Sequence, residues 1–366
     1  MKHKFEVLKL VLEIIALSLG VGYLLYLIIE KYYMKYVRKQ IDYIIHINGT
    51  RGKSTVTRLI GTILRKNGYK TYTKVTGSKP AIIDTKGNER EITRYGRPNI
   101  KEQLKVMRMA KKDGARVLVI ECMAVNPNYQ YITQHSMLDA NISIITNARR
   151  DHEEQMGNTI EDIAMSLSNT IPKGGILFIP NNLVAFYKDI CAKNKTEIIV
   201  FPEIKENQEI DFYNENINAA LGVAEYFSIP KEKALEDMRD YPQDKGVVST
   251  HKINNHLFIN GFSINDIDSI KKTIHMLDLK SMPVFLINNR ADRPIRVKQH
   301  FELINELKPK IVIVAGSHYR FLKRKLKDSK VIRFTTVNDL EQYPIVFGIG
   351  NVKGEGLNII NYYNNK

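Results

Sequence analysis

The stretch Tyr43-Ile44-Ile45-His46-Ile47-Asn48-Gly49-Thr50-Arg51-Gly52-Lys53-Ser54-Thr55 limits the fold of this chain more than any other. A short apolar run, Tyr43 to Ile47, ends in a glycine-flanked turn, and a Gly-Lys-Ser then opens a helical pattern that continues to Lys66. Strand, glycine loop and helix in that order build a phosphate cradle. Glycines let backbone N–H groups turn toward an anion, and the helix N-terminus adds the positive end of its dipole. In such a cradle Lys53 reaches the terminal phosphates and the Ser54 hydroxyl sits on Mg²⁺. The spacing is Gly-x-x-Gly-Lys-Ser. Ile47 stands where the longer Gly-x-x-x-x-Gly-Lys-[Ser/Thr] motif carries its first glycine.

At 366 residues the chain is long enough for about two globular domains with sizeable cores. Lys and Arg number 55 against 39 Asp and Glu, a net charge of +16 that asks for an anionic neighbour. The basic residues are spread over the whole chain with no arm or stripe, which argues against a nucleic-acid reader. Cys122 and Cys191 are unclustered and lie in or beside apolar segments, so they are expected to be buried thiols, with no zinc site and no disulfide framework.

Leu10 to Ile29 is a twenty-residue segment whose one charge is Glu13. As a helix it spans about 30 Å, the thickness of a bilayer core. It lacks the short apolar core and small-residue cleavage site of a signal peptide. The expectation is a single-pass anchor in the cell membrane. Lysines flank it on both sides, so charge leaves the orientation open; the phosphate loop, which needs cytoplasmic ATP, puts the body in the cytoplasm.

From Asp42 onward apolar runs alternate with amphipathic stretches. Strands are expected at Tyr43–Ile47, Val117–Glu121, Ile142–Thr146, Ile176–Ile179 and Ile198–Phe201, with helices such as Ser54–Lys66, Ile100–Lys112 and Ile160–Asn169 between them. That alternation reads as an α/β fold with a mostly parallel sheet covered by helices. Residues 76–99 break every period with Gly77, Pro80, Gly87, Gly96 and Pro98, the mark of a working or disordered loop. Helical patterns follow at Ile217–Phe227 and Lys231–Met238, and Tyr241–Gly246 reads as a boundary. Beyond it strands are expected at Leu257–Asn260, Val284–Asn288, Ile311–Val314, Val331–Phe334 and Ile345–Phe347. Helices at Val297–Leu307 and Phe321–Leu326 complete a smaller Rossmann-like α/β domain without a phosphate loop. The expected division is 1–40 for the anchor and linker, 41–243 for the ATP-binding domain and 244–366 for the C-terminal domain.

Candidate chemistry follows at strand ends, where ligands gather in open α/β sheets. Glu121 closes its strand, and beside a phosphate-loop serine an acidic residue there is the expected Mg²⁺ ligand, since Mg²⁺ takes hard oxygen donors. Asp151-His152 follows the Ile142–Thr146 strand; Asn216 heads a helix, where an N-cap is the plainer reading. In Asn288-Asn289-Arg290-Ala291-Asp292-Arg293-Pro294-Ile295-Arg296, three arginines within seven residues suit a phosphate or carboxylate clamp, with solvated charge as the alternative.

Together, Asn48-Gly-Thr-Arg-Gly-Lys-Ser54, Glu121 and Thr146-Asn-Ala-Arg-Arg-Asp151-His152 resemble the Mur ligase superfamily of ATP-dependent amide-bond ligases, which has a short phosphate loop of this kind. Met156-Gly157-Asn158-Thr159-Ile160-Glu161-Asp162-Ile163-Ala164 is similar to the segment after the Asp-His pair in folylpolyglutamate synthases. Asn216-Ile-Asn-Ala-Ala-Leu-Gly-Val-Ala224 resembles the adenine-side asparagine helix, and Asn260-Gly-Phe-Ser-Ile-Asn265-Asp266 the nucleotide-contacting loop that opens the C-terminal domain. A narrower resemblance, to the ligase subunit of poly-γ-glutamate synthases, rests on the anchor before the loop and on Arg97-Pro-Asn-Ile-Lys-Glu-Gln103, Glu121-Cys-Met-Ala-Val-Asn-Pro127 and Asn289-Arg-Ala-Asp-Arg293. It covers residues 42–360.

The resemblance implies that a glutamate carboxylate takes the γ-phosphate of ATP as an acyl phosphate, releasing ADP, and that the amine of an incoming glutamate then displaces phosphate. It implies ATP contacts from Asn48, Gly49, Thr50, Arg51, Gly52, Lys53, Ser54, Thr55, Asn216, Asn260 and Asn265. Mg²⁺ would be held by Ser54, Glu121 and His152, with Arg290, Asp292 and Arg293 at the phosphates or the incoming substrate. Implied partners are glutamate, the poly-γ-glutamate chain, the membrane and companion membrane subunits of a capsule or export complex; a homo-oligomer stays open. Two departures stand out. Ser166–Ser168 holds none of the family's carbamylated lysine, and Val248-Ser249 stands in place of its inter-domain arginine, for which Lys252 or Arg290 are the available substitutes. Two alternatives are a polyglutamylating ligase acting on folate or another acceptor, and a decayed, membrane-tethered nucleotide-binding scaffold.

Overall fold

The computed structural model describes residues 2–77, 79–94, 96–203, 214–243, 248–264, 267–279, 281–292 and 294–366. Helix α1 (Lys2–Lys39) runs straight through the apolar segment and nearly to the first strand. It is the one helix among the described residues long and apolar enough to cross a membrane. Leu10, Leu17, Leu24 and Ile29 are exposed, whereas Met34, Val37 and Ile41 are buried against Ile44, Val106, Met107, Ala110 and Leu118. The same helix thus leaves the body as an apolar rod and enters it as part of the core.

The first sheet comprises β1 (Tyr43–Asn48), β2 (Thr71–Val75), β3 (Ala81–Ile83), β4 (Glu89–Glu91), β5 (Val117–Glu121), β6 (Ile142–Ile145), β7 (Ile176–Ile179) and β8 (Glu197–Val200). Their order is β4-β3-β2-β5-β1-β6-β7-β8, parallel except where β3 meets β2 and β4. The crossovers include α2 (Lys53–Lys66), α3 (Glu102–Lys112), α4 (Pro127–Ile132), α5 (Glu153–Met156), α6 (Ile160–Leu167) and α7 (Val184–Asn194); α8 (Asn214–Tyr226) and α9 (Lys231–Met238) follow β8. On α2 the apolar positions Val56, Leu59, Ile60, Ile63 and Leu64 recur at helical spacing and are all buried in one cluster with Ile45, Ile47 and the α8 residues Ile217, Ala220 and Leu221. Burying each large side chain contributes about 1.5–3 kcal/mol.

The second sheet comprises β9 (Ser249–Ile253), β10 (His256–Gly261), β11 (Val284–Asn289), β12 (Ile311–Gly316), β13 (Lys330–Arg333) and β14 (Ile345–Gly350), in the order β13-β12-β11-β14-β10-β9. Only β9 is antiparallel. Helices α10 (Ile267–Met276), α11 (Pro294–Leu307), α12 (Tyr319–Lys325) and α13 (Glu355–Asn364) complete this unit.

Every strand read from the sequence is present. The α/β class holds, while β2, β3, β4 and β9 were not legible. β2 reads Thr-Tyr-Thr-Lys-Val, too polar for a core strand, yet all five residues are buried. Its polar side chains are satisfied in place: Thr71 Oγ1 donates to Tyr69 O, and Thr73 Oγ1 accepts from Arg65. Residues 76–99 are less irregular than their glycines and prolines suggest, because β3 and β4 are three-residue strands set between the breaks.

The packing of α2 has a measurable consequence. In detergent-solubilised full-length protein, Leu59→Ala should lower unfolding stability by about 2–5 kcal/mol. Lys66→Ala, which removes an exposed ion pair with Asp240, should cost under about 1 kcal/mol. Equal effects in a urea titration would contradict the burial of this face.

Candidate active site

The loop Gly49–Gly52 leaves the carboxyl end of β1 and runs into α2. Both glycines take positive φ, +129° at Gly49 and +80° at Gly52. A Cβ at Gly49 would lie 2.1 Å from Thr146 Oγ1, and one at Gly52 would lie 2.1 Å from Asn216 Oδ1. Only glycine fits either position. The loop is held from outside by the residues that follow β6. Thr146 Oγ1 donates to Arg51 O (2.6 Å), Asn147 Oδ1 accepts from Thr50 Oγ1 (2.7 Å) and from Arg51 N (3.0 Å), and Arg149 N donates to Thr50 Oγ1 (2.9 Å). Lys53 folds back so that its Nζ donates to Gly49 O at 2.6 Å.

Glu121 meets this loop because β1 and β5 pair with Ile47 opposite Glu121. Its carboxylate is buried. Oε2 accepts from Ser54 Oγ at 2.9 Å and from the Thr76 backbone N–H at 2.5 Å, while Gln103 Nε2 donates to the Glu121 carbonyl at 3.0 Å. Behind it lies Lys74, a fully buried ammonium 3.1 Å from Glu102 that also donates to Gln103 Oε1 at 2.9 Å. Burial lowers its pKa; Glu102 and then Glu121 oppose that shift. Arg94 grips Glu102 through two hydrogen bonds of 2.7 and 2.9 Å. Sequence reading passed over Lys74 and Arg94. A lysine in the strand after α2 was the available signal, but that strand itself was not recognised.

Asp151 ion-pairs with Arg51 at 3.4 Å. Burial pushes its carboxyl up, but Arg51 above all, then His152, Lys53 and Arg296, hold it below the usual aspartate range. His152 takes φ +53°, with its N–H on Asp151 Oδ1 at 3.1 Å. Its side chain lines a cavity of about 170 Å³ together with Gly49, Lys53, Thr76, Cys122 and Met123. Cys122 is buried there, and burial pushes its thiol up to about 11. Among the described residues no three His, Cys, Asp or Glu side chains form a metal-binding group; Ser54 is paired with Glu121, and His152 lines the cavity.

Several expected nucleotide contacts are turned inward. Asn48 donates its amide to Gln130 Oε1 (2.9 Å) and Thr170 Oγ1 (3.3 Å), tying β1 to its neighbours. Asn216 sits inside α8 rather than at its cap, packed on Gly52. Asn260 is buried beside Ser249 on β9, and Thr55 is buried in α2. Arg290 is paired in a double hydrogen bond with Asp292, two residues on, at 2.9 and 2.7 Å. Arg296 instead bonds Asn351 Oδ1 at 3.1 Å and is the arginine of that run whose charge reaches Asp151. Asn265 and Arg293 lie outside the described residues.

The second unit closes over this edge through polar contacts. Arg51 Nη1 donates to Ser263 O at 3.2 Å, and Arg149 donates to Ser269 Oγ at 2.9 Å and to both Glu215 oxygens at 2.6 and 2.8 Å. Lys272 of α10 also ion-pairs with Glu215. Arg149 therefore does what neither Lys252 nor Arg290 is seen to do, and links the two sheets by a guanidinium.

A strained glycine loop, a serine–carboxylate pair at the adjoining strand end and a second α/β unit over both belong to the ATP-dependent amide-bond ligases of the Mur type. Residues 47–257 match the Mur ligase middle domain. Two solved structures share the fold: MurF from Acinetobacter baumannii, and the bifunctional folylpolyglutamate synthase/dihydrofolate synthase from Yersinia pestis CO92. The first has TM-score 0.64 and 14% identity over 90% of this chain and 79% of that one; the second has TM-score 0.64 and 13% identity over 87% and 88%. The remaining residues narrow the class, since 247–366 match the poly-gamma-glutamate synthase CapB C-terminal domain. The chain is 33% identical to PGA synthase CapB of Bacillus subtilis (strain 168) over 356 residues, 87% of this chain and 90% of that relative. It is 32% identical to the capsule biosynthesis protein CapB of Bacillus anthracis over 290 residues, 74% of this chain and 62% of that one. The chain belongs to the CapB family of poly-γ-glutamate synthases, within the Mur ligase superfamily.

The glycine geometry gives a direct test. Gly52→Ala places a methyl on Asn216 and forces a left-handed alanine, which costs about 1–2 kcal/mol before any clash. ATP affinity, read by calorimetry, should fall at least about tenfold. Gly68→Ala also sits at positive φ but has open space around it, so it should leave the affinity unchanged. Equal affinities in the two variants would show that the cradle does not carry the nucleotide.

Proposed function

We propose that this enzyme polymerises glutamate into poly-γ-glutamate at the cytoplasmic face of the membrane, with residues 41–243 holding ATP and 244–366 closing on it. Bound ATP transfers its γ-phosphoryl group to the chain-end carboxylate with release of ADP, and the amine of the next glutamate attacks the acyl carbon of the resulting acyl phosphate, forming the amide, losing a proton and expelling phosphate. The observation that carries this reading is the Ser54–Glu121 pair beside a loop that only glycine can form. Two hard oxygen donors at the lip of a phosphate cradle fit Mg²⁺, and we assign the ion to them.

In this reading the protein positions and neutralises more than it reacts. The Thr50 and Arg51 N–H groups are held by Asn147, which leaves Gly52 and the α2 N-terminus to the phosphates, and Lys53 swings from Gly49 O onto their terminal oxygens. Glu121 Oε2 is occupied by Ser54 and Thr76, which fixes the carboxylate; Glu121 and Ser54 are the residues that would hold Mg²⁺, whose charge would offset that of the phosphates. We assign His152, which lines the 170 Å³ cavity, to the activated carboxylate or to holding a second metal. Arg296, with its charge reaching Asp151, is a better placed basic group than the self-paired Arg290 for the incoming glutamate. The net charge of +16 suits a polyanionic product. Helix α1 supplies the anchor, and a charged polymer crossing a bilayer needs companion membrane subunits beside it. Nothing in the site favours a folate acceptor. A decayed scaffold would have no use for a preserved Ser54–Glu121 pair.

Membranes carrying the full-length chain, given ATP, Mg²⁺ and L-glutamate, should release phosphate in proportion to a protease-resistant glutamate polymer. Phosphate release indifferent to glutamate would sink the polymerase reading. Glu121→Ala should cut turnover by at least about a hundredfold while ATP still binds.

A further inference from the structure

We propose that the exposed basic face of α12, with the loops at its foot, is a second site of this enzyme and holds the growing poly-γ-glutamate chain as it trails from the active site. This depends on the polymerase reading above, which puts the carboxyl end of that chain at the phosphate loop and leaves its older residues to cross the surface. Basic residues that read as scattered in sequence form a stripe once this part of the chain is folded. Tyr319–Arg333 carries seven lysines and arginines against one acid, Asp328. All seven are exposed, and none is ion-paired among the described residues. The acids of the neighbouring helix do not answer them, because on α11 Glu302 pairs with Lys298 at 3.8 Å and Glu306 pairs with Lys271.

The stripe follows from how α12 packs. Leu322 and Leu326, one turn apart, are buried in the core of the second unit, which turns Arg320, Lys323 and Arg324 to solvent on a common face. Lys323 Nζ lies 5.7 Å over the Tyr319 ring, which keeps its charge beside the helix. Cations therefore recur at about one helical pitch, roughly 5.4 Å. Poly-γ-glutamate has five backbone bonds per residue where an ordinary peptide has three, so its carboxylates recur about every 6 Å when extended. The two spacings agree.

The stripe also starts beside the active site. Strands β10, β14, β11, β12 and β13 are mutually parallel, so their carboxyl ends share one edge of the second sheet. That edge meets the site: Ser263, just past β10, accepts from Arg51, and Asn351, directly after β14, accepts from Arg296. Arg320 follows the end of β12, and Arg333 ends β13, on the same edge. β12 lies two strand spacings from β14, about 10 Å, which about two γ-glutamyl residues span. From there α12 descends to the amino edge, where Lys327 and Lys330 stand beside Lys310: Lys330 N–H donates to Lys310 O at 2.9 Å, and Ser329 Oγ donates to Pro309 O at 2.6 Å. The length of β12 sets this descent at about 20 Å, or roughly three more γ-glutamyl residues. Each exposed charge contributes little alone, but linked contacts along one polymer act together. A chain held this way stays with the enzyme between additions.

The test titrates the full-length protein in phosphatidylcholine vesicles with fluorescein-labelled γ-linked glutamate oligomers, without ATP, at about 0.15 M salt. A decamer should bind at least about tenfold more tightly than a trimer. The triple variant Arg320→Glu, Arg324→Glu, Lys327→Glu should bind the decamer at least about tenfold more weakly, with an unchanged thermal melt. Given ATP, Mg²⁺ and L-glutamate, it should also make polymer shorter by at least about twofold. Lys188→Glu, Lys193→Glu and Lys195→Glu, the same change of charge on exposed residues of α7 and its C-cap, should alter neither reading. Equal losses in the two triple variants would reduce the effect to net charge and overturn the proposal, as would equal affinity for trimer and decamer. Polymer of unchanged length from a variant that has lost the decamer would overturn the stripe's part in synthesis. Decamer binding that vanishes when phosphatidylglycerol is added to the vesicles would give the face to lipid and overturn the proposal. Wild-type protein that binds the decamer through these residues but makes no polymer would support the site and sink the polymerase reading alone.

Discussion

The pairing of β1 with β5 in one register is the constraint on which the site depends. Ile47 faces Glu121, so the carboxylate stands two residues before the first loop glycine and within reach of Ser54 on the first turn of α2. A slip of one residue would turn Glu121 to the other face of the sheet and separate the pair. The register is held by burial on both sides: Ile45, Ile47, Val117 and Val119 pack under α2, and Ile44, Leu118 and Ile120 pack under α3 and α1. Core packing of this kind costs several kilocalories per mole to disturb, far more than any single contact to the carboxylate. Hydrophobic patterning therefore sets the position of a polar group that it never touches.

Much of this was legible because it is periodic. The strand Tyr43–Ile47, the loop and the helix announced themselves, and Glu121 followed from its place at the end of an apolar run. What stayed hidden was polar structure inside the protein. β2 carries Thr71, Thr73 and Lys74, which alternation alone assigns to a surface, and only the arrangement of Arg65, Glu102 and Gln103 around it makes burial affordable. Asn48, Asn216 and Asn260 resemble nucleotide contacts in sequence, yet each amide is packed within the protein. An asparagine in a motif does not reveal whether its amide points outward or closes an inner hydrogen-bond network. Arg290 likewise has a partner that was in plain view, Asp292 two residues away.

The contact between the two sheets is built differently from either core. Arg149, Glu215, Lys272 and Ser269 join them through charges that are only partly buried, with Arg51 reaching Ser263 beside them. Polar, half-exposed junctions are what domains that move against each other use. Arg149 also touches the loop through its N–H on Thr50, so a shift of the second unit is felt at the cradle. Where Val248-Ser249 supply no arginine, the guanidinium contacts across the junction come from Arg149 and Arg51 of the first unit.

Behind the serine–carboxylate pair, a connected set of buried charges runs outward: Glu121 to Gln103, Gln103 to Lys74, Lys74 to Glu102, and Glu102 to Arg94. Arg94 belongs to the same connection that carries Arg97 and Lys101 at the rim, and Thr76, which donates to Glu121, begins it. Removing one partner of a buried pair leaves a charge uncompensated, at a cost of about 3–5 kcal/mol, whereas an exposed pair is worth under about 1 kcal/mol. The segment 76–101 is therefore anchored at its inner ends by expensive interactions and ends outside in cheap ones. A loop so built keeps the carboxylate fixed whatever its outer lysines and arginines meet.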